Sequence, residues 1–149
     1  MSGDRDLDRA VLADVTEVLV RYATGIDRRD WVLFRTCFTG DCDADYGEIG
    51  AWHSADEITE WMAAAHEAAG HTLHRITNVA VELERDGRAR ARCYVDALVM
   101  GPDGGSGARA TGFYDDELVR TADGWRIARR RCTVVHVEPV GAGIEAETG

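Results

Sequence analysis

Proline is scarce in this sequence, with two among 149 residues. Disordered chains are rich in proline and poor in hydrophobic residues, whereas 45% of these residues are hydrophobic and 30% are charged. The composition therefore predicts a globular chain, and its length is that of one ordinary domain with one sizeable core. We expect a single domain over residues 1–149, with its core at about 7–138 and with frayed termini.

Basic residues are outnumbered, 17 Lys and Arg against 27 Asp and Glu, which gives a formal net charge of -10 at pH 7. Nucleic-acid binding needs a clustered basic face, so that kind of partner is not expected. No segment approaches the roughly 18 apolar residues that a membrane-spanning helix needs. The N-terminal stretch MSGDRDLDRA lacks the apolar region of a signal peptide. These absences predict a cytoplasmic protein without a membrane partner.

Motifs for metals and common nucleophiles are missing too. The four cysteines have no CxxC spacing, and the chain has no HExxH, G-x-S-x-G or Walker sequence. The glycine-rich segment 101–107, GPDGGSG, lacks the Lys-Ser/Thr ending of a phosphate-binding loop and fits a hairpin connection instead. His71 and His74 lie three apart in a predicted strand and point to opposite faces, a poor geometry for a metal pair. We expect buried free thiols, no metal site and no organic cofactor.

Three helices are predicted in the first half of the chain. Apolar residues recur at spacings of three and four over residues 7–26, which is typical of a long amphipathic helix. A short second helix is expected at about residues 30–38. Ser54 and Glu57 have the spacing of a capping box, so a third helix should begin there and end at Gly70.

Beyond Gly70 the apolar period changes to two, which is typical of strands. Helices followed by consecutive strands indicate an α+β domain, with the helices on one face of a curved antiparallel sheet. The predicted strands are residues 71–84, 88–100, 108–120 and 125–139, with a shorter one in DCDADYG at 41–47.

Asp27 is an acidic residue on the apolar face of the first helix, which it shares with Tyr22 and Ile26. It can simply be a solvated residue of the last turn. However, a negative charge near a helix C-terminus is unfavourable by a few tenths of a kcal/mol to about 1 kcal/mol, and a histidine partner would offset this cost. His74 opens the strand segment HRITN, and spacing alone leaves a purely structural role open for it.

Four segments in this order, YATGIDRRDW, CDADYG, HTLHRITN and DGWRIARRR, resemble the SnoaL-like branch of the nuclear transport factor 2-like superfamily. The likeness covers about residues 7–138 and is greatest to the scytalone dehydratase and hexachlorocyclohexane dehydrochlorinase group. The resemblance implies a cone-shaped α+β barrel, in which three N-terminal helices pack on a curved, mostly antiparallel sheet. The exposed face of such a sheet usually pairs, so we expect a homo-oligomer, either a dimer or a trimer.

The resemblance also implies roles for individual residues. In that group an aspartate at the end of the first helix pairs with a histidine that opens a strand, and the histidine removes a proton from the substrate. These roles carry over to Asp27 and His74, and that of a tyrosine that polarises the substrate carries over to Tyr46. An arginine late in the last strand of the dehydrochlorinase is similar in position to Arg130 or Arg131.

Three positions depart from the group's pattern. Ile26 stands where the dehydratase has a tyrosine, and Met100 falls near the place of its second pocket histidine. Tyr22 aligns with the pocket lysine of the dehydrochlorinase. The substrate and the direction of the reaction are therefore open.

The predicted function is a cofactor-independent lyase or isomerase of dehydratase or cyclase type, in which the carboxylate–imidazole pair abstracts a carbon-bound proton. The expected substrate is a small hydrophobic molecule, with aromatic and polycyclic compounds included. Two alternatives are a structural small subunit like the β subunit of ring-hydroxylating dioxygenases and a ligand-binding module of the same fold. The predicted pocket residues, each of which can equally be core, are Tyr22, Trp31, Trp61, Met62, Leu98, Met100, Phe113, Tyr114 and Arg130.

Overall fold

The computed structural model of the chain describes residues 2–141. Within this range three α-helices, six β-strands and one short 3-10 helix follow one another. They are α1 Ser2–Asp27, α2 Trp31–Arg35, β1 Phe38–Asp45, the 3-10 helix Gly47–Ile49, β2 Ala51–Trp52, α3 Ala55–His66, β3 Thr72–Leu83, β4 Ala89–Met100, β5 Gly107–Thr121 and β6 Gly124–Val140.

The six strands form one sheet in the order β2-β1-β6-β5-β4-β3. The β1–β6 pair is parallel, and the other four pairs are antiparallel. The helix α1 packs against β3 and β6 and contacts α2 and α3, so the helices lie together on one face of the sheet. The predicted fold class, a cone of three helices on a curved and mostly antiparallel sheet, is confirmed.

The hydrophobic core lies between α1 and the inner face of the sheet. The side chains of Val15, Val18 and Leu19 form the predicted apolar stripe of α1 and are fully buried. In β4 the predicted alternation is also present, with residues such as Ala91 buried and Arg92 exposed. Burial of one valine or leucine side chain contributes roughly 1.5–3 kcal/mol. The stripe therefore fixes α1, and with it the position of the last residue of this helix, against the sheet.

The boundary between α2 and β1 differs from the prediction. The helix begins at Trp31 after its N-cap Asp30, whose carboxylate accepts a backbone hydrogen bond of 3.0 Å, and it ends at Arg35. The predicted helix continued to Phe38. This residue instead begins β1, because β1 pairs with β6 from the Phe38–Ile127 register onward, and tertiary pairing overrides a short helical pattern.

Other boundaries differ as well. The helix α1 begins at Ser2, before the predicted start at residue 7, and the predicted fraying of the N-terminus stays a prediction. The helix α3 ends at His66 rather than at Gly70, and the two-residue strand β2 was not predicted. Val140 ends β6, and the rest of the predicted frayed tail lies at residues 142–149, outside the described range.

The longest helix is amphipathic rather than apolar on all sides. The helix α1 has 26 residues, and residues such as Asp14 and Glu17 are exposed on its outer side. Within residues 2–141, no helix has the length and hydropathy that crossing a bilayer requires.

Candidate active site

Asp27 ends α1 at the point where this helix meets the beginning of β3. Its Oδ1 lies 2.8 Å from Nδ1 of His74 and accepts a hydrogen bond of 2.9 Å from Oγ1 of Thr72. Its Oδ2 accepts a hydrogen bond of 2.8 Å from the backbone N–H of His74. The contact predicted between Asp27 and His74 is therefore present at hydrogen-bond distance. The catalytic roles of the two residues stay a prediction.

The three donors favour the charged form of Asp27. Burial raises the pKa of this carboxyl group, but the hydrogen bonds from the His74 ring, the His74 backbone and Thr72 together hold the pKa below its ordinary value. A carboxylate only accepts hydrogen bonds, so the proton of the imidazole sits on Nδ1 and the lone pair of Nε2 is free. The side chain of His74 is 9% exposed. An imidazole held in this tautomer has the arrangement of a general base.

Arg29 supports this pair from the loop after α1. Its φ of 57° lies in the left-handed region, which costs a residue other than glycine about 1–2 kcal/mol. Its guanidinium donates to the carbonyl oxygens of Ile26 and Gly70, at 2.8 and 2.7 Å, and to Thr72 Oγ1 at 2.8 Å. Because Thr72 Oγ1 accepts from Arg29, its own proton is directed to Asp27. Arg29 is not among the predicted site residues, although a basic residue just beyond a helix C-terminus is a known capping signal.

His74 lines a cavity of about 170 Å³ between the helices and the inner face of the sheet. Much of its wall is apolar, and the polar groups that reach it are few, which is typical of a small-molecule site. The predicted site residues that line it with His74 are Tyr22, Tyr46, Trp61, Met62 and Tyr114. Residues of the wall that were not predicted include Ile49, His66, Val95, Ala97, Val99 and Val134.

Three residues predicted for the pocket lie on the outer face of the sheet instead. Side chains alternate along a strand, and Val99 lines the cavity, so Leu98 and Met100 point away from it. Phe113 is the register partner of the exposed Tyr94 and shares its outward direction. Leu98, Met100 and Phe113 therefore do not line the cavity with His74, because the face that carries the arginines of β4 is the outer one.

Trp31 lies one layer behind the cavity. Its ring packs against the rings of Phe34 and His66, with centroid distances of 5.6 and 6.0 Å. His66 lines the cavity, whereas Trp31 does not. Trp31 therefore does not line the cavity, and its contact with the site is made through the His66 ring.

Arg130 is also placed behind the cavity wall, so it does not contact the cavity as predicted. Its side chain is 0% exposed, and its guanidinium forms two hydrogen bonds of 2.8 Å with the carboxylate of Asp116, which is 1% exposed. The same guanidinium lies 4.4 Å from the ring centroid of Tyr22 and 3.9 Å from that of Tyr114. Its Nη1 is 3.4 Å from the hydroxyl oxygen of Tyr46. Arg130 therefore acts on the cavity through three tyrosines. Asp116, which is not among the predicted site residues, balances its charge.

The hydroxyl groups of Tyr22 and Tyr46 are 2.7 Å apart at the cavity wall. Burial raises the pKa of both groups well above the ordinary value, so both hydroxyls stay protonated. Arginine has no acceptor, so Tyr46 accepts from Arg130 and keeps its own proton to donate. One hydroxyl of the pair donates to the other, so the two tyrosines together have one proton left to donate toward the cavity.

Comparison with protein families identifies one domain in the chain. The model of the SnoaL-like domain matches residues 9–131. The matched range contains α1 from Arg9 onward, the start of β3 and both residues of the Asp27–His74 pair. The resemblance inferred from the sequence is therefore confirmed.

Three solved structures are similar over most of their length. "Putative Scytalone Dehydratase" from Novosphingobium aromaticivorans has a TM-score of 0.83 at 16% identity, with 90% of each chain covered. A hexachlorocyclohexane dehydrochlorinase of type 2 has a TM-score of 0.77 at 18% identity, with 95% of each chain covered. "Putative aromatic ring hydroxylase" from Novosphingobium aromaticivorans has a TM-score of 0.76 at 25% identity, covering 87% of this chain and 92% of that one. The first two likenesses show the shared fold alone.

Proposed function

The chain belongs to the SnoaL-like domain family, and we propose that it is a lyase or isomerase that abstracts a carbon-bound proton from a small hydrophobic molecule. Asp27 and His74 form the acid/base pair of this reaction. The observation that carries the proposal is the 2.8 Å contact between Asp27 Oδ1 and His74 Nδ1, which leaves Nε2 of His74 beside a mostly apolar cavity.

The chemistry begins at Nε2 of His74, which takes the proton of a C–H bond while Asp27 stabilises the imidazolium that forms. In an elimination the C–H electron pair becomes a C=C bond as the neighbouring C–O bond breaks. The imidazolium then returns its proton to the leaving hydroxide, which departs as water. In an isomerisation the imidazolium returns the proton to a different carbon. Both routes restore the neutral imidazole, so the base is ready for another turnover.

The carbanion character that develops during this step needs stabilisation. A carbonyl next to the reacting carbon would spread the charge onto its oxygen, and hydrogen-bond donors placed at that oxygen lower the barrier. The hydroxyls of Tyr46 and Tyr22 lie at the cavity wall, and Arg130 donates to Tyr46 from behind. We assign Tyr46 the role of oxyanion donor, with Tyr22 beside it and Tyr114 as a wall of the pocket.

The size of the cavity limits the part of the substrate that it can enclose. A buried apolar cavity of about 150 Å³ accommodates benzene, so a cavity of about 170 Å³ fits one six-membered ring with small substituents. A second groove of about 610 Å³ adjoins it, and the wall residues that the two share include Tyr46, Ile49, Ala110 and Val134. A polycyclic molecule would place one ring in the cavity and the rest in this groove.

The proposal is tested by a panel of small cyclic β-hydroxy ketones, with product formation followed by mass spectrometry. We expect the wild type to dehydrate at least one of them, and Asp27→Asn and His74→Ala to lose about 100-fold or more of the rate. Asp30→Asn is the matched control, because Asp30 follows closely after Asp27 but caps α2 and an asparagine also caps a helix. Equal turnover by all four proteins would remove the pair from the mechanism.

A structural subunit of a ring-hydroxylating dioxygenase is the second candidate, and the likeness to "Putative aromatic ring hydroxylase" at 25% identity favours it. Such a subunit would bury a large apolar outer face against its partner and would be insoluble when expressed alone. The charged side chains that cover one end of the outer face favour the enzyme over the subunit. Soluble expression of the isolated chain would support the enzyme, and aggregation that a hydroxylase partner relieves would support the subunit.

A ligand-binding module of the same fold is distinguished by the panel itself. Such a module would bind members of the panel without converting them. Asp27→Asn and His74→Ala would then change affinity alone.

A further inference from the structure

His66 supplies a second imidazole to the cavity, from the last turn of α3. Its Nδ1 lies 2.8 Å from the carbonyl oxygen of Met62. A carbonyl only accepts hydrogen bonds, so Nδ1 must carry the ring proton of His66. The lone pair of the ring is therefore on Nε2, as it is in His74.

The Nε2 atom of His66 has no hydrogen-bond partner within residues 2–141. The centroids of the His66 and His74 rings are 6.1 Å apart, so one small ring can touch both. Burial lowers the pKa of His66, and the charges of His74 and Arg29 act in the same direction, while Met62 and Asp27 oppose them. His66 is therefore neutral near pH 7, with an acceptor directed at the cavity.

A structural role explains the Nδ1 atom of His66 but not its Nε2 atom. The bond from Nδ1 to Met62 holds the imidazole in place, but an apolar side chain would fill the same wall without bringing an acceptor into it. Among the described residues, the fully buried polar side-chain atoms without a partner belong to Thr39 and Trp125, so Nε2 of His66 keeps accessible surface at the cavity that this residue lines. An acid role does not fit either, since the single ring proton is engaged by Met62. The remaining role is to accept a hydrogen bond from a molecule in the cavity.

We propose that His66 is a specificity-determining residue, whose Nε2 accepts a hydrogen bond from a hydroxyl group of the substrate. The part of this inference that concerns the reaction at His74 rests on the proposed function. The binding contact at His66 does not depend on it. The hydroxyl is one that the substrate keeps, because an acceptor at a leaving hydroxyl would raise its electron density and slow its departure. The substrate class is then a hydroxylated ring of about the size of benzene, such as a phenol or a cyclic enol.

The probes for this contact are phenol and toluene, which have the same shape and differ in hydroxyl and methyl. Affinities for wild type, His66→Phe and the control His71→Phe are measured by calorimetry or by displacement of a fluorescent dye. His71 is exposed and lies outside the cavity wall. We expect the phenol-to-toluene affinity ratio to fall about fivefold in His66→Phe, the effect of one net hydrogen bond, and to stay unchanged in His71→Phe. An unchanged ratio in His66→Phe would overturn the proposal.

The ¹⁵N signals of the histidine rings in the wild-type protein provide a readout that does not depend on a variant folding. We expect phenol to shift Nε2 of His66 and toluene to leave it in place. A phenol response at His74 alone would contradict the proposal. His66→Gln, which restores an acceptor on a flexible chain, should recover part of the preference for phenol, and no recovery together with a silent His66 signal would count against the contact.

The proposed function can fail without this inference failing. If Asp27→Asn and His74→Ala leave turnover unchanged while phenol still shifts the His66 signal, the reaction is wrong and the binding contact stands. If turnover depends on His74 but phenol does not shift the His66 signal, the proposed contact is wrong and the proposed reaction stands.

Discussion

Asp27 receives three hydrogen bonds at the end of a helix whose dipole disfavours its charge. Its pKa is lower in the folded protein than in the unfolded chain, where it is about 3.9. The carboxylate therefore contributes stability that is fully present above the unfolded pKa and is lost as pH falls through the folded pKa. The position of this residue links the stability of the site to pH.

We predict that Asp27→Asn lowers the free energy of unfolding at pH 7 and that its difference from the wild type shrinks when pH falls below about 4. Urea unfolding at neutral and acidic pH measures this difference. Asp30→Asn, which keeps a side-chain acceptor for α2, should differ little from the wild type. A wild-type advantage that grows on acidification would contradict the assignment of an ionised Asp27.

A second prediction at the scale of single residues concerns the buried ion pair of Arg130 and Asp116. Removal of one partner leaves an unpaired buried charge, so we expect Asp116→Asn to lose about 3–5 kcal/mol of unfolding free energy. The neighbouring Asp115 pairs with the exposed Arg92 on the outer face, and Asp115→Asn should lose less than about 1 kcal/mol. Denaturant unfolding of both variants measures the contrast.

Replacement of both partners provides a further check on the buried pair. Asp116→Leu combined with Arg130→Met removes both charges together, and the double variant should be more stable than Asp116→Asn alone. The three tyrosines beside Arg130 would lose their positive neighbour, so we expect activity to fall even where stability recovers. Equal losses in Asp115→Asn and Asp116→Asn would argue against a buried charge pair.

At the scale of elements, the end of α1 and the start of β3 are joined by Arg29. Its backbone is in the left-handed region, while its side chain donates hydrogen bonds to Ile26, Gly70 and Thr72. Glycine removes the side chain and relieves the strain, whereas alanine removes the side chain and keeps the strain. We predict that Arg29→Gly is more stable than Arg29→Ala by about 1 kcal/mol, measured by thermal or denaturant unfolding.

Both Arg29 variants should also lose activity, because Thr72 then loses the donor that directs its proton to Asp27. A second test of the contact between Arg29 and Thr72 is the pH dependence of turnover. It should shift when the hydrogen bond from Thr72 to Asp27 is weakened. Stability that is equal in the two variants would show that the left-handed backbone at Arg29 is not under strain.

The long elements could be predicted from the sequence because their patterns extend over many residues. The stripe of α1 and the alternation of β4 each repeat several times, and burial then selects one face. Asp27 could be identified because it interrupts an apolar stripe. The family resemblance, and not spacing, supplied His74 as its partner.

The short and non-local features could not be predicted in the same way. The strand β2 has two residues and exists through its pairing with β1. Phe38 joins β1 through its pairing with Ile127, which lies far along the chain. Leu98, Met100 and Phe113 were assigned to the pocket because they are apolar, although the outer face of a sheet also carries apolar residues. The sequence places His66 on a predicted helix, but no pattern in it indicates that this histidine lines a cavity.

At the scale of the whole molecule, the outer face of the sheet is divided into two ends. At one end the register places acidic and basic side chains opposite one another across four strands, an arrangement that favours solvent. At the other end, apolar residues of the same face lie around a further set of ion pairs, in which Asp96 contacts Arg75 and Arg109. The two charged rows are Arg90, Glu117, Arg129 and Asp43, and Arg92, Asp115, Arg131 and Asp45.

The end of the outer face that exposes apolar residues is where we expect a second copy of the chain to bind. Leu73 and Tyr94 are 55% and 50% exposed there, and their register partners on the same face are Leu98 and Phe113. Exposed apolar patches of this kind mark interaction surfaces. The charged rows beside the patch limit its extent, which favours a small symmetric contact between copies over a large apolar interface with a different subunit.

We predict that the wild-type protein sediments as a dimer or trimer and that Tyr94→Glu dissociates it into monomers. A glutamate there would be buried without a partner in the contact, and a buried unpaired charge is strongly unfavourable. Val32→Glu is the matched control, because Val32 is 81% exposed on α2, away from the outer face, and this variant should sediment like the wild type. Sedimentation velocity at several concentrations measures all three proteins. A monomeric wild type would contradict the oligomer, and a Tyr94→Glu variant that stays assembled would place the contact elsewhere on the molecule.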